Sequence, residues 1–121
     1  MNLQKNIKKI AQDVLLNESL ALQNLASYIN QDFESCVREI YSAKGRLVIT
    51  GIGKSAIIAN KIVATLNSTG TPALFMHAAD AIHGDLGKIQ REDIVMCISK
   101  SGNTPEIKVL DPLHKRRGTK L

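Results

Sequence analysis

The stretch Arg46-Leu47-Val48-Ile49-Thr50-Gly51-Ile52-Gly53-Lys54-Ser55 decides the fold. Residues 46–50 form a short β-branched run without polar alternation that stops at Gly51, which reads as a buried strand. The period then changes. Ile57, Ile58, Ile62, Val63 and Leu66 recur at helical steps over residues 54–68, and Gly70 ends the segment. Downstream, Pro72–Met76 and Asp93–Ile98 are two further apolar strand candidates, separated by a polar, glycine-containing stretch over 79–90 with one short helix. Thr104-Pro105-Glu106 opens a last helix running to about Arg117: Thr caps, Pro fits the first turn, and Glu meets the positive end of the dipole. Upstream, Ile7, Ile10, Val14, Ala21, Leu25 and Tyr28 predict one helix over 5–29. Asn30 or Asp32 caps a second helix over about 33–43, which carries Cys36, Val37 and Ile40 on one face and stops at Gly45. Helices followed by β-α-β-α-β-α predict an α/β fold, a parallel sheet with helices on both faces. Residues 1–43 form its N-terminal helices and 44–121 its core, within a single domain.

Composition narrows the function classes. The 121 residues are 44% apolar and 22% charged, the profile of a globular protein and not of a disordered one. No apolar run approaches the ~18 residues that span a bilayer, so no membrane is expected as a partner. Met1-Asn2-Leu3-Gln4-Lys5 lacks the apolar core of a secretory signal. Cys36 and Cys97 are too few for a disulfide framework and neither lies in a CxxC, so the cytoplasm is the expected compartment. The net charge is +5, of which residues 111–121 hold +3. With no Trp, two Tyr and two Phe, the chain lacks stacking platforms along a basic groove, and no nucleic acid is expected as a partner.

Ligands of open parallel sheets bind beyond the carboxyl ends of the strands. Two of those ends carry unusual chemistry. Gly51-Ile52-Gly53-Lys54-Ser55 lets the backbone approach a ligand closely and offers the free N–H groups of a helix start. Val48 stands where a P-loop needs its first glycine, and Gly51, Gly53 and Ala56 match G-x-G-x-x-A only as a loose dinucleotide fingerprint. Ser99-Lys100-Ser101-Gly102-Asn103-Thr104-Pro105-Glu106 follows the third strand, a hydroxyl-rich turn before a helix that suits a phosphate. His77 and His83, interleaved with Asp80 and Asp85, have the chemistry to bind a metal or shuttle protons, or simply to hydrogen-bond within a loop.

Taken together, these segments resemble the SIS (sugar isomerase) domain, and within it the arabinose-5-phosphate isomerase family. The resemblance runs over about 5–118 and rests on Gly51–Ser55, Ser68-Thr69-Gly70-Thr71-Pro72, His83-Gly84-Asp85-Leu86-Gly87 and Ser99–Thr104. It implies a flavodoxin- or Rossmann-like sheet of five strands, of which this chain supplies three, so that a C-terminally truncated domain is expected. It implies that Lys54 and Glu106 are catalytic. It further implies that Gly53, Ser55, Gly70, Thr71, His83, Ser99, Ser101 and Thr104 bind substrate, and that zinc can bind at His77. The implied reaction interconverts D-ribulose 5-phosphate and D-arabinose 5-phosphate, whose product feeds lipopolysaccharide biosynthesis.

The residue types fit that reaction. Moving a proton between C1 and C2 through an enediol needs a base near carbon and a cation near the developing oxyanion. Glu106 suits the first role and Lys54 the second, and no cofactor is required. A homo-oligomer, dimer or tetramer, is expected because the helices of residues 5–43 carry more apolar surface than three strands can cover. The short chain itself is expected to show little or no turnover. The alternatives are a non-catalytic sugar-phosphate-binding SIS module and, on the G-x-G-x-x-A match alone, a dinucleotide-binding domain.

Overall fold

The computed structural model describes residues 3–82 and 85–102. The chain divides into two compact units, Met1–Glu39 and Ile40–Leu121. In the first, helix α1 spans Leu3–Leu25 and tightens into a single 3₁₀ turn, Ala26–Tyr28, before Ile29 turns extended. The expected helix over 5–29 therefore ends a turn early. Helix α2, Gln31–Ser42, starts at Asn30, whose Oδ1 accepts the Phe33 N–H at 3.2 Å. Asn30 is the cap; Asp32 lies inside the first turn with Glu34, where both favour the helix dipole.

In the second unit, strand β1 (Leu47–Gly51) is buried along its whole length at the centre of a three-stranded sheet. Strand β2 (Ala73–His77) pairs on one side and β3 (Ile94–Cys97) on the other, both parallel to β1. Both β1 and β2 lie one residue later than the sequence alone predicts. The Arg46 N–H donates to the Asp93 carboxylate at 2.8 Å instead of joining a ladder. Pro72 has no N–H, and its carbonyl accepts the Leu47 N–H at 3.0 Å.

Helix α3, Lys54–Ser68, returns from β1 to β2 over one face of the sheet. There Ala59, Ile62, Val63 and Leu66 pack on Leu47, Ile49, Ala73, Phe75, Ile94 and Met96, together with Ile40. Ile57 and Ile58, part of the periodic apolar set, face outward at 71% and 55% exposure. The opposite face buries Val48, Met76 and Val95 against Ala78 and Ala81 of α4 (Ala78–Ile82), and against Ile89 beyond a 3₁₀ turn at Asp85–Lys88. The two crossovers thus lie on opposite faces, as a doubly wound sheet requires. The helix expected from Thr104 lies outside the described residues.

The amino edge of the sheet is held by one buried carboxylate. Asp93, 1% exposed, accepts Nη2 and Nε of Arg46 at 2.8 and 3.3 Å, the Arg46 N–H, and the Gln90 N–H at 2.8 Å. Arg46 Nη2 also reaches the Lys88 carbonyl at 2.9 Å. At the other end of α3, Thr71 N–H donates to Leu66 O at 2.9 Å and Gly70 N–H to Asn67 O at 3.4 Å, a Schellman stop.

Candidate functional site

The strand order β2-β1-β3 makes the chain leave β1 in one direction to reach β2 and pass to β1's other side to form β3. The loops after β1 and β3 consequently flank the point where the winding reverses, which is where sheets of this kind open a crevice for ligands. Both hydroxyl-bearing loops singled out in the sequence stand at that point. They are tied together through their strands: Thr50 is in register with Cys97, and the Ile98 N–H donates to the Thr50 carbonyl at 2.9 Å.

The first loop is shaped by two glycines. A Cβ on Gly51 would stand 3.1 Å from the Ser55 carbonyl carbon and 3.2 Å from the Ala56 nitrogen, so a side chain there would push against the first turn of α3, which sits close to the strand. Gly53 precedes α3 with φ 60° and ψ −128°, a conformation that L side chains rarely adopt. No side chain caps α3. The Gly53 carbonyl accepts the Ala56 and Ile57 N–H groups at 3.1 and 3.4 Å. The N–H groups of Lys54 and Ser55 remain as helix-end donors with no carbonyl of the helix to accept them. Lys54 is exposed at the first helical position and Ser55 half-buried at the second. This start of α3 suits an anion.

The second loop follows β3. Ser99 is half-buried, and its Oγ accepts the Gly102 N–H at 2.9 Å, folding Ser99–Gly102 into a turn that leaves the Ser99 hydroxyl proton to donate. Lys100 and Ser101 are exposed. Lys100 adds a second cation to Lys54 at this edge. The signal for it was its place between two serines in a phosphate-type loop.

The remaining expected residues distribute unevenly. Thr104, Glu106 and His83 lie outside the described residues. His77 ends β2 in register with Gly51, at the same carboxyl edge. Gly70 and Thr71 do not join this group. They form the stop of α3 and precede β2, at the amino edge of the sheet, about 16 Å away along five residues of strand. Their backbone serves the turn within one copy of the chain. The signal was available: in a parallel sheet, whatever follows a crossover helix and precedes its strand lies at the amino edge.

A zinc at His77 finds little support from its surroundings. Among the described residues no group of three or more His, Cys, Asp or Glu side chains is placed to hold a metal ion. The His77 Nδ1 is already engaged, accepting the Ala79 N–H at 3.2 Å. Sequence reasoning also missed Thr50, fully buried at the end of β1, whose Oγ1 has no hydrogen-bond partner among the described residues. Two displaced titrations among the described residues lie at the far edge. Burial alone would raise the Asp93 carboxyl, but the Arg46 side chain, the Gln90 and Arg46 N–H groups and the guanidinium charge hold it below its ordinary value. The hydrogen bond to Asp93 raises Arg46.

A doubly wound sheet with two anion-suited loops at its switch point is an architecture that takes phosphorylated ligands, and the SIS domain family matches residues 39–121. The chain belongs to that family. A Haemophilus influenzae protein named "Probable arabinose 5-phosphate isomerase" is 49% identical over 116 residues, 96% of this chain and 34% of that protein. Arabinose 5-phosphate isomerase KdsD of Pseudomonas aeruginosa is 44% identical over 123 residues, 100% of this chain and 38% of that protein. The chain thus spans about a third of the length of the curated relatives it matches. The solved structure of E. coli CFT073 c3406 in complex with arabinose 5-phosphate superposes with a TM-score of 0.88 at 39% identity, covering 98% of this chain and 63% of that one. No helix among the described residues is long and apolar enough to cross a membrane.

Proposed function

We propose that this chain forms the sugar-phosphate site of an aldose–ketose isomerase that interconverts D-ribulose 5-phosphate and D-arabinose 5-phosphate. The observation that carries the reading is the meeting of the α3 start and the Ser99–Gly102 turn at the switch point between β1 and β3. The likeness to a structure solved with arabinose 5-phosphate supports it. In this reading the phosphate takes Ser99, Ser101 and Thr104, and the sugar lies toward Gly53 and Ser55, with His83 contacting it. Glu106 moves the proton between C1 and C2, and Lys54 faces the enediolate oxygen, where a fixed cation stabilises developing charge. The reaction belongs to carbohydrate metabolism in the cytoplasm, its product serving lipopolysaccharide biosynthesis. The working form is a homo-oligomer.

The purified chain is titrated with arabinose 5-phosphate, inorganic phosphate and NAD while thermal shift is followed. Stabilisation by the sugar phosphate and none by NAD is expected. Ser101→Ala removes one donor to a charged oxygen and weakens sugar-phosphate binding by about 1.5–3 kcal/mol, roughly ten- to a hundredfold. Unchanged affinity in that variant rules the turn out as the phosphate site. Turnover of ribulose 5-phosphate, compared with Glu106→Gln, separates the two remaining readings. A rate that this substitution lowers by about a hundredfold or more marks an enzyme. Background rates in both, with binding retained, mark a sugar-phosphate-binding module.

A further inference from the structure

Strand β3 is four residues long, and among the described strands its one neighbour is β1. Its side chains give it no reason to prefer one alignment over another. Ile94, Met96 and Ile98 pack in the apolar cluster under α3, while Val95 and Cys97 pack in the one under α4. A slip of one residue exchanges the two faces of a strand. Where one face is polar, that exchange is heavily penalised. Here apolar residues would again lie on both faces, so the hydrophobic pattern builds β3 without aligning it.

What aligns it sits one residue upstream. Asp93 accepts the backbone N–H of Arg46 at 2.8 Å, and Nη2 and Nε of the same residue at 2.8 and 3.3 Å. The residues that follow are the first ladder pair, Leu47 opposite Ile94, and the Ile94 N–H donates to the Arg46 carbonyl at 3.0 Å. The backbones approach closely here as well, since a Cβ on Gly45 would collide with the Glu92 carbonyl. A slip in one direction would carry Asp93 into the ladder opposite Leu47, within the apolar layer under α3. A slip in the other would draw it off the Arg46 N–H. Either way a buried carboxylate loses its partners, which a fold tolerates poorly.

The alignment matters at the opposite end of the strands. The start of α3 follows β1, and the Ser99–Gly102 turn follows β3. One residue of slip moves the turn by about 3.3 Å along β1. That takes a donor of one loop out of hydrogen-bond reach of a phosphate held by the other.

We propose that Arg46 and Asp93 are positioning residues: by fixing Leu47 opposite Ile94 at the amino edge, they set how the Ser99–Gly102 turn faces the α3 start at the carboxyl edge, and so let both loops hold one ligand. The identity of the ligand rests on the function proposed above; the alignment does not.

The test replaces the pair by apolar residues. Arg46→Met combined with Asp93→Leu removes both charges, an exchange that buried ion pairs often tolerate without loss of stability. Register is read in the ¹⁵N,¹³C-labelled chain from cross-strand contacts of Ile94, Met96 and Ile98 with β1, and affinity from titration with arabinose 5-phosphate. The expected result is a folded chain with a second set of signals, in which residues 94–98 are displaced by one position along β1. Only the natural alignment binds, so affinity falls by the inverse of its fraction, about threefold or more. Arg46→Lys keeps a cation beside Asp93 and the backbone N–H donors, and is expected to show one register and the natural affinity. A folded double variant that holds the natural register alone overturns the proposal. So does weaker binding by Arg46→Lys in the natural register, because the charge would then act on the ligand by another route. A second register with unchanged affinity overturns the positioning role. Should the double variant not fold, Asp93→Ser, which keeps one acceptor for the Arg46 N–H, is read by the same measurements with the same outcomes. Absence of arabinose 5-phosphate binding by the natural chain overturns the sugar-phosphate reading and the binding half of this proposal, while the register measurement still decides the alignment half.

Discussion

Asp93 accepts four hydrogen bonds while almost wholly buried. Asp93→Ala would strand the N–H groups of Arg46 and Gln90 and free the guanidinium, which is itself 34% exposed and so partly rescued by water. The expected loss is about 3 kcal/mol, read as a lower urea midpoint. The same carboxylate makes stability depend on acid. Its folded pKa is depressed, so its contribution is complete above the ordinary carboxylate range and disappears as pH falls through the lowered folded value. The gap in urea midpoint between the natural chain and Asp93→Asn should therefore be constant from pH 7 to about pH 5 and shrink below that. A gap that widens on acidification would contradict the sign. Thr50 presents the reverse case, a buried hydroxyl that no group satisfies among the described residues. Thr50→Val keeps the shape and removes the desolvated oxygen, so the chain should gain about 1 kcal/mol. A lower melting temperature in that variant would show that the hydroxyl is satisfied after all. Neither residue announces its state in sequence. The partners of Asp93 include Arg46, which lies 47 positions away, and burial of Thr50 depends on both flanking strands.

At the scale of elements, legibility followed locality. Helix α3 matches the expected 54–68, because its start at Gly53 and its stop at Gly70 are written within the segment itself. β1 and β2 begin one residue late because Asp93 takes the Arg46 N–H and Pro72 has no N–H to give, while β3 is one residue shorter than read at each end. Residues 26–29, where α1 tightens into a 3₁₀ turn, carry no Gly or Pro, so the periodic reading ran on to 29, whereas Asn30 was a readable cap. The candidate site divides the same way. The two loops at strand ends could be located from the βα order, but their adjacency needed the strand order, and the engagement of His77 Nδ1 needed coordinates. One joint between elements was invisible. The Asn67 side chain accepts the Ala73 N–H at 2.8 Å and donates to the Ala73 carbonyl at 3.1 Å, standing in for a strand neighbour at the start of β2. Both bonds are exposed, so Asn67→Ala should cost only about 1–2 kcal/mol. It should also raise amide exchange at Ala73 more than at the centre of β1. Equal exchange at both places would mean that β2 is held by its ladder alone.

The first unit displays apolar surface that its own helices do not cover. On α1, Ile7, Ile10, Val14 and Leu25 fall within an arc of about 60° at 100° per residue, with Leu16 and Leu20 centred about 130° to one side of it and Leu15 and Leu22 about 100° to the other. All eight are 49–67% exposed. An amphipathic surface helix has one apolar stripe; a helix with apolar groups on more than one side is built to be covered on more than one side. Further apolar groups stand open on α2 and just before it, with Tyr28, Ile29, Phe33 and Val37 also about half exposed or more. Contiguous patches of this kind are scarce on monomers. Self-association through the first unit is the economical way to cover them, because every copy presents the same stripes and a symmetric pair can bury one set in each other while further copies take the second. Light scattering at micromolar concentration should thus give a dimer or tetramer. Leu16→Glu puts a charge into one stripe without touching the β1-centred core, so it should lower the mass while circular dichroism and the near-equal melting of the second unit persist. A stable monomer for the natural chain with α1 fully helical would contradict this account of the exposed apolar groups. An unchanged mass for Leu16→Glu would assign the interface to the Ile7–Leu25 side alone, and Val14→Glu should then separate the copies.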